Sequence, residues 1–193
     1  MEKKRKTLIS NYFKPSIYVQ TFKEVNVETL KRQGIKLFIS DLDNTLIPHF
    51  KRLPNKEVLN FIEKVRAAGM EFAIMSNNIQ SRVSLFAKKA GVEIYRSNAR
   101  KPFKRVAKNI IKTVGVKPEE TIIMGDQIIM DILVANRLKA ESILVNTLVT
   151  TDYKMNSFNT FLEKSIYRNL SKRNILTFGK YTEGDLGVSY ELL

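Results

Sequence analysis

The chain contains no cysteine and a single histidine, His49, in 193 residues. The first absence excludes a disulfide scaffold, a thiolate zinc site and a cysteine nucleophile, and the second excludes a histidine-rich metal centre. Long apolar runs are missing as well. Lys or Arg interrupts every hydrophobic stretch before it reaches the roughly 20 residues that cross a bilayer, so no transmembrane segment is expected. Met1 to Lys6 is basic enough to open a secretory signal, but residues 7–11 break off too soon to supply its apolar core. The expectation is a cytoplasmic protein. No repeat, low-complexity tract or linker divides the sequence. Acids are scarce: 33 Lys and Arg face 19 Asp and Glu, for a formal charge of +14. That balance points to an acidic partner, whether nucleic acid, anionic membrane or phosphorylated substrate, without choosing among them.

What remains is the composition of a globular protein, 44% hydrophobic and 27% charged, long enough to bury a core without staples. The charge is uneven. Residues 82–117 hold eleven Lys and Arg against the single Glu93, a local excess of +10.

Short apolar runs rich in branched residues alternate with stretches of helical period, the pattern of βαβ units. Strands are expected over 35–40, 71–76, 93–96, 121–124 and 142–145, giving a doubly wound parallel five-stranded α/β sheet flanked by helices. Val58, Phe61, Ile62 and Val65 lie on one helical face that stops at Gly69. A second helix covers 81–90 and stops at Gly91. A third opens on Pro102, which a first helical turn accepts, and carries Phe103, Val106, Ile110 and Ile111. A fourth spans about 128–138. A fifth, over 156–170, turns Phe158, Phe161, Leu162 and Ile166 to the core, and the stretch with Gly179, Gly184 and Gly187 reads as a loose tail. One domain is expected: a basic segment over 1–34 packed on the core, the catalytic core over 35–150, and a C-terminal helix and tail over 151–193.

Ligands of such sheets bind beyond the carboxyl ends of the strands. There the first strand runs into Asp41-Leu42-Asp43-Asn44-Thr45. The second ends in Ser76-Asn77-Asn78, a hydroxyl followed by residues able to cap the next helix. The next unit delivers Lys101, and the fourth strand ends in Gly125-Asp126, with Asp131 five residues on. Four carboxylates, a hydroxyl and an ammonium thus converge on one rim. Hard oxygen donors beside a phosphate are how Mg2+ is held, and the lysine balances the remaining negative charge.

These motifs, in this order, resemble the haloacid dehalogenase (HAD) superfamily of phosphatases over about residues 35–146. The resemblance implies that Asp41 is the nucleophile that forms an aspartyl-phosphate, and that Asp43 is the general acid and base. It implies that Thr45 supports the loop, and that Ser76 and the Asn77 backbone bind phosphate. Lys101 then screens nucleophile and phosphate, and Asp41, Asp43 through its carbonyl, Asp126 and Asp131 hold Mg2+. The motif gaps, 76 − 43 = 33, 101 − 76 = 25 and 126 − 101 = 25 residues, each hold about one helix and one strand. They leave no room for a cap domain, so the mouth should be open and suited to a large substrate.

Residues 36–48, with L-D-N-T-L-I-P, followed by S-N-N, K-P and G-D-Q-x(3)-D, further resemble the YqeG group of capless subclass IIIA phosphatases, relatives of the mitochondrial phosphatidylglycerophosphate phosphatases. That implies hydrolysis of phosphatidylglycerophosphate to phosphatidylglycerol at the inner face of a membrane, where clustered Lys and Arg attract anionic lipid. Lys3-Lys4-Arg5-Lys6 with Tyr12 and Phe13 could add to that attraction or form a solvated tail. The alternative reading of the same charge is a nucleic-acid or ribosome-associated module, or a phosphatase of nucleic-acid ends. The chain carries no aromatic RNP stripe or GXXG loop in context to support it.

Overall fold

The computed structural model describes residues 8–149 and 158–181. In chain order it runs through helix α1 (Leu8–Phe13), strand β1 (Ile17–Val19), α2 (Val27–Arg32), β2 (Leu37–Ser40), α3 (Lys56–Ala67), β3 (Glu71–Met75), α4 (Gln80–Lys89), β4 (Ile94–Arg96), α5 (Arg105–Val114), β5 (Thr121–Gly125), a wide π turn (Ile128–Ile132) leading into α6 (Leu133–Leu138), β6 (Glu141–Val145) and α7 (Phe158–Lys172). The strands pair in parallel in the order β1-β6-β5-β2-β3-β4.

The sheet therefore has six strands rather than the five expected. The added one, β1, pairs Ile17 with Ile143 and Val19 with Val145. Three residues are too few to show a periodic pattern, and only the β6 edge beside them makes them a strand. Both faces of the sheet are covered, so its strands read as continuous apolar runs. Phe38, Phe72, Ile74 and Ile122 point to one side, against Val58, Phe61, Ile62 and Val65 of α3 and Val83 and Phe86 of α4. Leu37, Ile39, Ala73 and Ile123 point to the other, against Ala107, Ile110 and Ile111 of α5 and Val134 of α6. At the β1 end, Tyr18 and Leu144 are covered by Leu170 of α7 and by Leu176.

Local chemistry explains most boundaries. The Asn55 side chain caps α3 by accepting from the Val58 N–H at 2.9 Å, and Gly115 closes α5 in the left-handed conformation at φ 79°. Three expectations need correction. Pro102 does not open a helix: the Lys101-Pro102 peptide is cis and lies in a turn, and α5 begins at Arg105. Phe161 does not face the core, being 71% exposed; Ile166 does, as expected, and Tyr167 and Leu170 pack beside it. The stretch after α7 is not loose throughout, because Leu176 is buried and the Gly179 N–H donates to the Tyr18 hydroxyl. The run Lys3 to Lys6, the Phe158 side chain, Gly184 and Gly187 lie outside what is described.

The chain proceeds from β2 outward to β3 and β4, then crosses to β5 and β6. The direction of winding thus reverses between β2 and β5, and the crevice of a doubly wound sheet opens at such a point. Asp41 follows β2, and Asp126 follows β5.

Candidate active site

Asp41 is placed by the sheet itself, since its N–H continues the β2–β5 ladder by donating to the Met124 carbonyl at 2.8 Å. The chain then turns sharply through Asn44, buried at φ 65°. Its side-chain oxygen accepts the His49 N–H at 3.1 Å, and its carbonyl accepts the Leu148 N–H at 3.0 Å. The His49 ring Nδ1 lies 3.4 Å from the same Asn44 oxygen.

At the centre, the Lys101 Nζ donates to Asp41 Oδ1 and to Asp131 Oδ1, each at 2.6 Å. Asp41, Lys101 and Asp131 are 7%, 6% and 1% exposed, so this carboxylate–ammonium–carboxylate group is out of water. Burial pulls the lysine down, but the facing charges of Asp131 and Asp41 outweigh it and hold the ammonium above the ordinary lysine value. Burial pushes the Asp131 carboxyl up to about 6, against the pull of Lys101 and with a further push from Asp41. Lys101 stays charged and anchors both acids.

The surrounding loops hold that geometry. The Asn77 Oδ1 accepts the Lys101 backbone N–H at 2.7 Å, and its Nδ2 donates to the Lys101 carbonyl at 3.4 Å. Asp131 sits in the π turn, where its Oδ2 accepts the Gln127 N–H at 3.2 Å. Its carboxylate lies directly over Gly125, and a Cβ on that residue would stand 2.1 Å from Asp131 Cγ. Only glycine leaves room for this carboxylate.

Asp126 joins through Thr45, whose hydroxyl lies 3.2 Å from Asp41 Oδ2 and 3.4 Å from Asp126 Oδ1. Asp43 is held separately. Arg82 donates to its Oδ1 through Nε at 3.1 Å and Nη2 at 2.6 Å, and Asn78 Nδ2 donates to its Oδ2 at 2.9 Å. Ser76, buried at the end of β3, accepts the Asn78 N–H at 3.1 Å and so belongs to the same rim. The asparagines thus do not cap α4: Asn77 positions Lys101, Asn78 positions Asp43, and Ile79 precedes the helix without a side-chain cap.

Arg82 is the functional side chain that the sequence pattern did not single out. It counts there only toward the local charge, although its place in the first turn of the helix after Ser76 aims it back at the mouth.

Among the described residues, no three acids or histidines close around a common centre. The donors nevertheless suit a hard cation. They are all oxygen, and two carboxylates, Asp41 and Asp126, share one hydroxyl. Mg2+ commonly takes one or two carboxylates and fills its other positions with water and substrate phosphate.

Residues 4–150 match the family model described as mitochondrial PGP phosphatase. The Bacillus subtilis protein named "Probable phosphatase YqeG" is 29% identical over 167 residues, covering 86% of this chain and 96% of that protein. The Arabidopsis thaliana protein named phosphatidylglycerophosphate phosphatase 1, chloroplastic/mitochondrial, is 27% identical over 132 residues, 64% of this chain, and the match spans only 38% of that longer protein. Among solved structures, a hypothetical protein from Xanthomonas campestris aligns over 80% of this chain and 97% of its own with a TM-score of 0.50 at 10% identity, a likeness of fold alone.

Proposed function

The chain belongs to the mitochondrial PGP phosphatase family; from that premise we propose that it is a HAD-type, Mg2+-dependent phosphomonoesterase that cleaves phosphatidylglycerophosphate to phosphatidylglycerol and inorganic phosphate. The observation that carries the reading is the buried Asp41–Lys101–Asp131 group at the point where the winding of the sheet reverses. Two desolvated carboxylates sharing one ammonium are expensive to bury, and a phosphoryl-transfer site gives them a use.

In the first step, a carboxylate oxygen of Asp41 attacks phosphorus, the bond to the ester oxygen breaks, and that oxygen leaves with a proton from Asp43. In the second, Asp43 takes a proton from water, the water oxygen attacks phosphorus, and Asp41 is released with inorganic phosphate. Arg82 and Asn78 aim Asp43 in both steps. Lys101, fixed by the Asn77 side chain, holds the nucleophile in place and screens the incoming negative charge, while Ser76 and the Asn77 backbone bind phosphate oxygens. Asp41, Asp126 and the Asp43 carbonyl would hold the metal. Asp131 would complete the set with the lone pairs that Lys101 and the Gln127 N–H leave free. When bound, the ion supplies positive charge to the phosphoryl group.

The reading of 1–34, 35–150 and 151–193 as parts of one domain belongs to this proposal, supported by β1 joining the sheet and Leu170 covering it. So does a cytoplasmic protein peripheral to an anionic membrane. No helix among the described residues is long and apolar enough to cross one.

Purified protein should hydrolyse a soluble aryl phosphate with Mg2+, lose that activity to a chelator, and lose it in Asp41→Asn. Undiminished turnover in Asp41→Asn would overturn the mechanism. A screen of phosphatidylglycerophosphate, sugar phosphates, nucleotides and phosphorylated nucleic-acid ends then tests the substrate, and preference for a small sugar phosphate would overturn the lipid assignment.

A further inference from the structure

Three consecutive βα loops carry large apolar side chains into solvent at the mouth. The loop after β2 exposes Phe50 at 61% and Leu53 at 52%, the loop after β3 exposes Ile79 at 60%, and the loop after β4 exposes Phe103 at 66%. Because all three leave the carboxyl ends of a parallel sheet, they share the face on which Asp41 and Lys101 stand. Exposed apolar residues scattered singly need no explanation, but four at one end of the sheet do.

Their neighbours are cations. Lys51 and Arg52 follow Phe50, with the Lys51 Nζ 5.9 Å above its ring, and Arg100, Lys104 and Arg105 lie within three residues of Phe103; all five are exposed. Across residues 46–55, 76–81 and 97–105 there is no acid. The positive surface continues down the flank of α5 into a cleft of about 420 Å3 lined by Arg96, Arg105, Lys108 and Lys112.

We infer that these loop tips form a bilayer-docking rim: Phe50, Leu53, Ile79 and Phe103 enter the interfacial layer of an anionic membrane while Lys51, Arg52, Arg100, Lys104 and Arg105 engage its headgroups. Apolar tips ringed by cations match a surface that is negative outside and hydrocarbon beneath, and two weak signals together give stable attachment where one does not. A single-stranded nucleic acid would match the charge but prefers aromatic platforms for stacking, and half of these tips are aliphatic. Docked this way, the open mouth meets the headgroup layer directly and the phosphate need not leave the membrane to reach Asp41. The inference rests on the lipid-phosphatase reading for its purpose, but its test does not.

The chain has no tryptophan, so single substitutions report without background. Phe103→Trp and Ile79→Trp should shift their emission to the blue on phosphatidylcholine vesicles containing phosphatidylglycerol, and not on pure phosphatidylcholine. Leu85→Trp, on the exposed flank of α4, should shift on neither. Cosedimentation of full-length Phe50→Ser/Ile79→Ser/Phe103→Ser with the anionic vesicles should fall at least about tenfold, given apolar burial and charge acting together, while turnover of a soluble aryl phosphate is unchanged. Equal partitioning of wild type onto neutral and anionic vesicles would overturn the proposal. So would undiminished binding of the triple variant, or retention on single-stranded RNA with none on vesicles. Docking without aryl-phosphatase activity in the wild type would sink the enzymatic reading and leave the rim intact.

Discussion

Arg82 decides where Asp43 points. Its guanidinium is nearly buried and forks onto one carboxylate oxygen while Asn78 takes the other, so the carboxylate cannot turn without breaking three hydrogen bonds. Arg82→Ala frees that rotation, and a misplacement on the scale of an ångström is worth about a hundredfold in rate. The expected outcome is a kcat on aryl phosphate lowered by about that factor with far-ultraviolet circular dichroism unchanged. Arg82→Lys should recover only part of it, because an ammonium cannot reproduce the fork. A wild-type kcat in Arg82→Ala would show that Asp43 needs no such clamp. Lys101 poses a different problem. Removing it leaves Asp41 and Asp131 buried and facing each other with no cation between them, and breaking a buried charge group in this way costs about 3 to 5 kcal/mol. Lys101→Met should therefore lower the urea midpoint markedly as well as abolish turnover.

At the scale of elements, the join between β5 and the π turn is the tightest in the site. Gly125 has an ordinary backbone conformation, and its lack of a Cβ matters only because the Asp131 carboxylate lies on it. Gly125→Ala should displace that carboxylate, loosen its hold on Lys101 and remove about 1 to 3 kcal/mol of stability through overpacking. Thermal unfolding and aryl-phosphate turnover should fall together. The elements that position the acids were legible in the sequence, because each long helix carries an apolar stripe and each central strand an apolar run. Asp41, Ser76, Lys101, Asp126 and Asp131 follow the carboxyl ends of those runs, and their convergence could be read from topology alone. Other features lacked a local signal. Ile17–Val19 is a strand only because β6 offers it an edge. The turn at Lys101-Pro102 is imposed by Asn77, 24 residues away. Arg82 looks like any surface cation until Asp43 stands opposite. Phe161 lies at one edge of the apolar spacing of α7, on the far side of the helix from Ile166, Tyr167 and Leu170, which meet the core.

Across the whole molecule, the two ends of the chain meet at one edge of the sheet. β1 extends β6, Leu170 and Leu176 cover Tyr18 and Leu144, and the Ile129 N–H at the start of the π turn donates to Glu163 of α7 at 3.3 Å. The C-terminal helix thus touches the turn that carries Asp131. Tyr18 is the pin of this junction: its hydroxyl donates to Asn146 Oδ1 at 2.8 Å and accepts the Gly179 N–H at 3.3 Å, and its ring packs edge-on against Tyr181 at 4.9 Å. Burial pushes its phenol up from 10.0 to about 12, and the Gly179 hydrogen bond offsets only part of that rise. The fold therefore favours the neutral phenol. Its contribution is complete below the unfolded value of 10.0 and is lost as pH rises through about 12. That stability is withdrawn from this edge first. Near-ultraviolet absorbance should thus show a late phenolate component at about pH 12 that is missing in Tyr18→Phe. Proteolytic cleavage after residue 158 should become faster over the same range in wild type. A Tyr18→Phe titration that overlays the wild type would place this phenol in water and undo the pin.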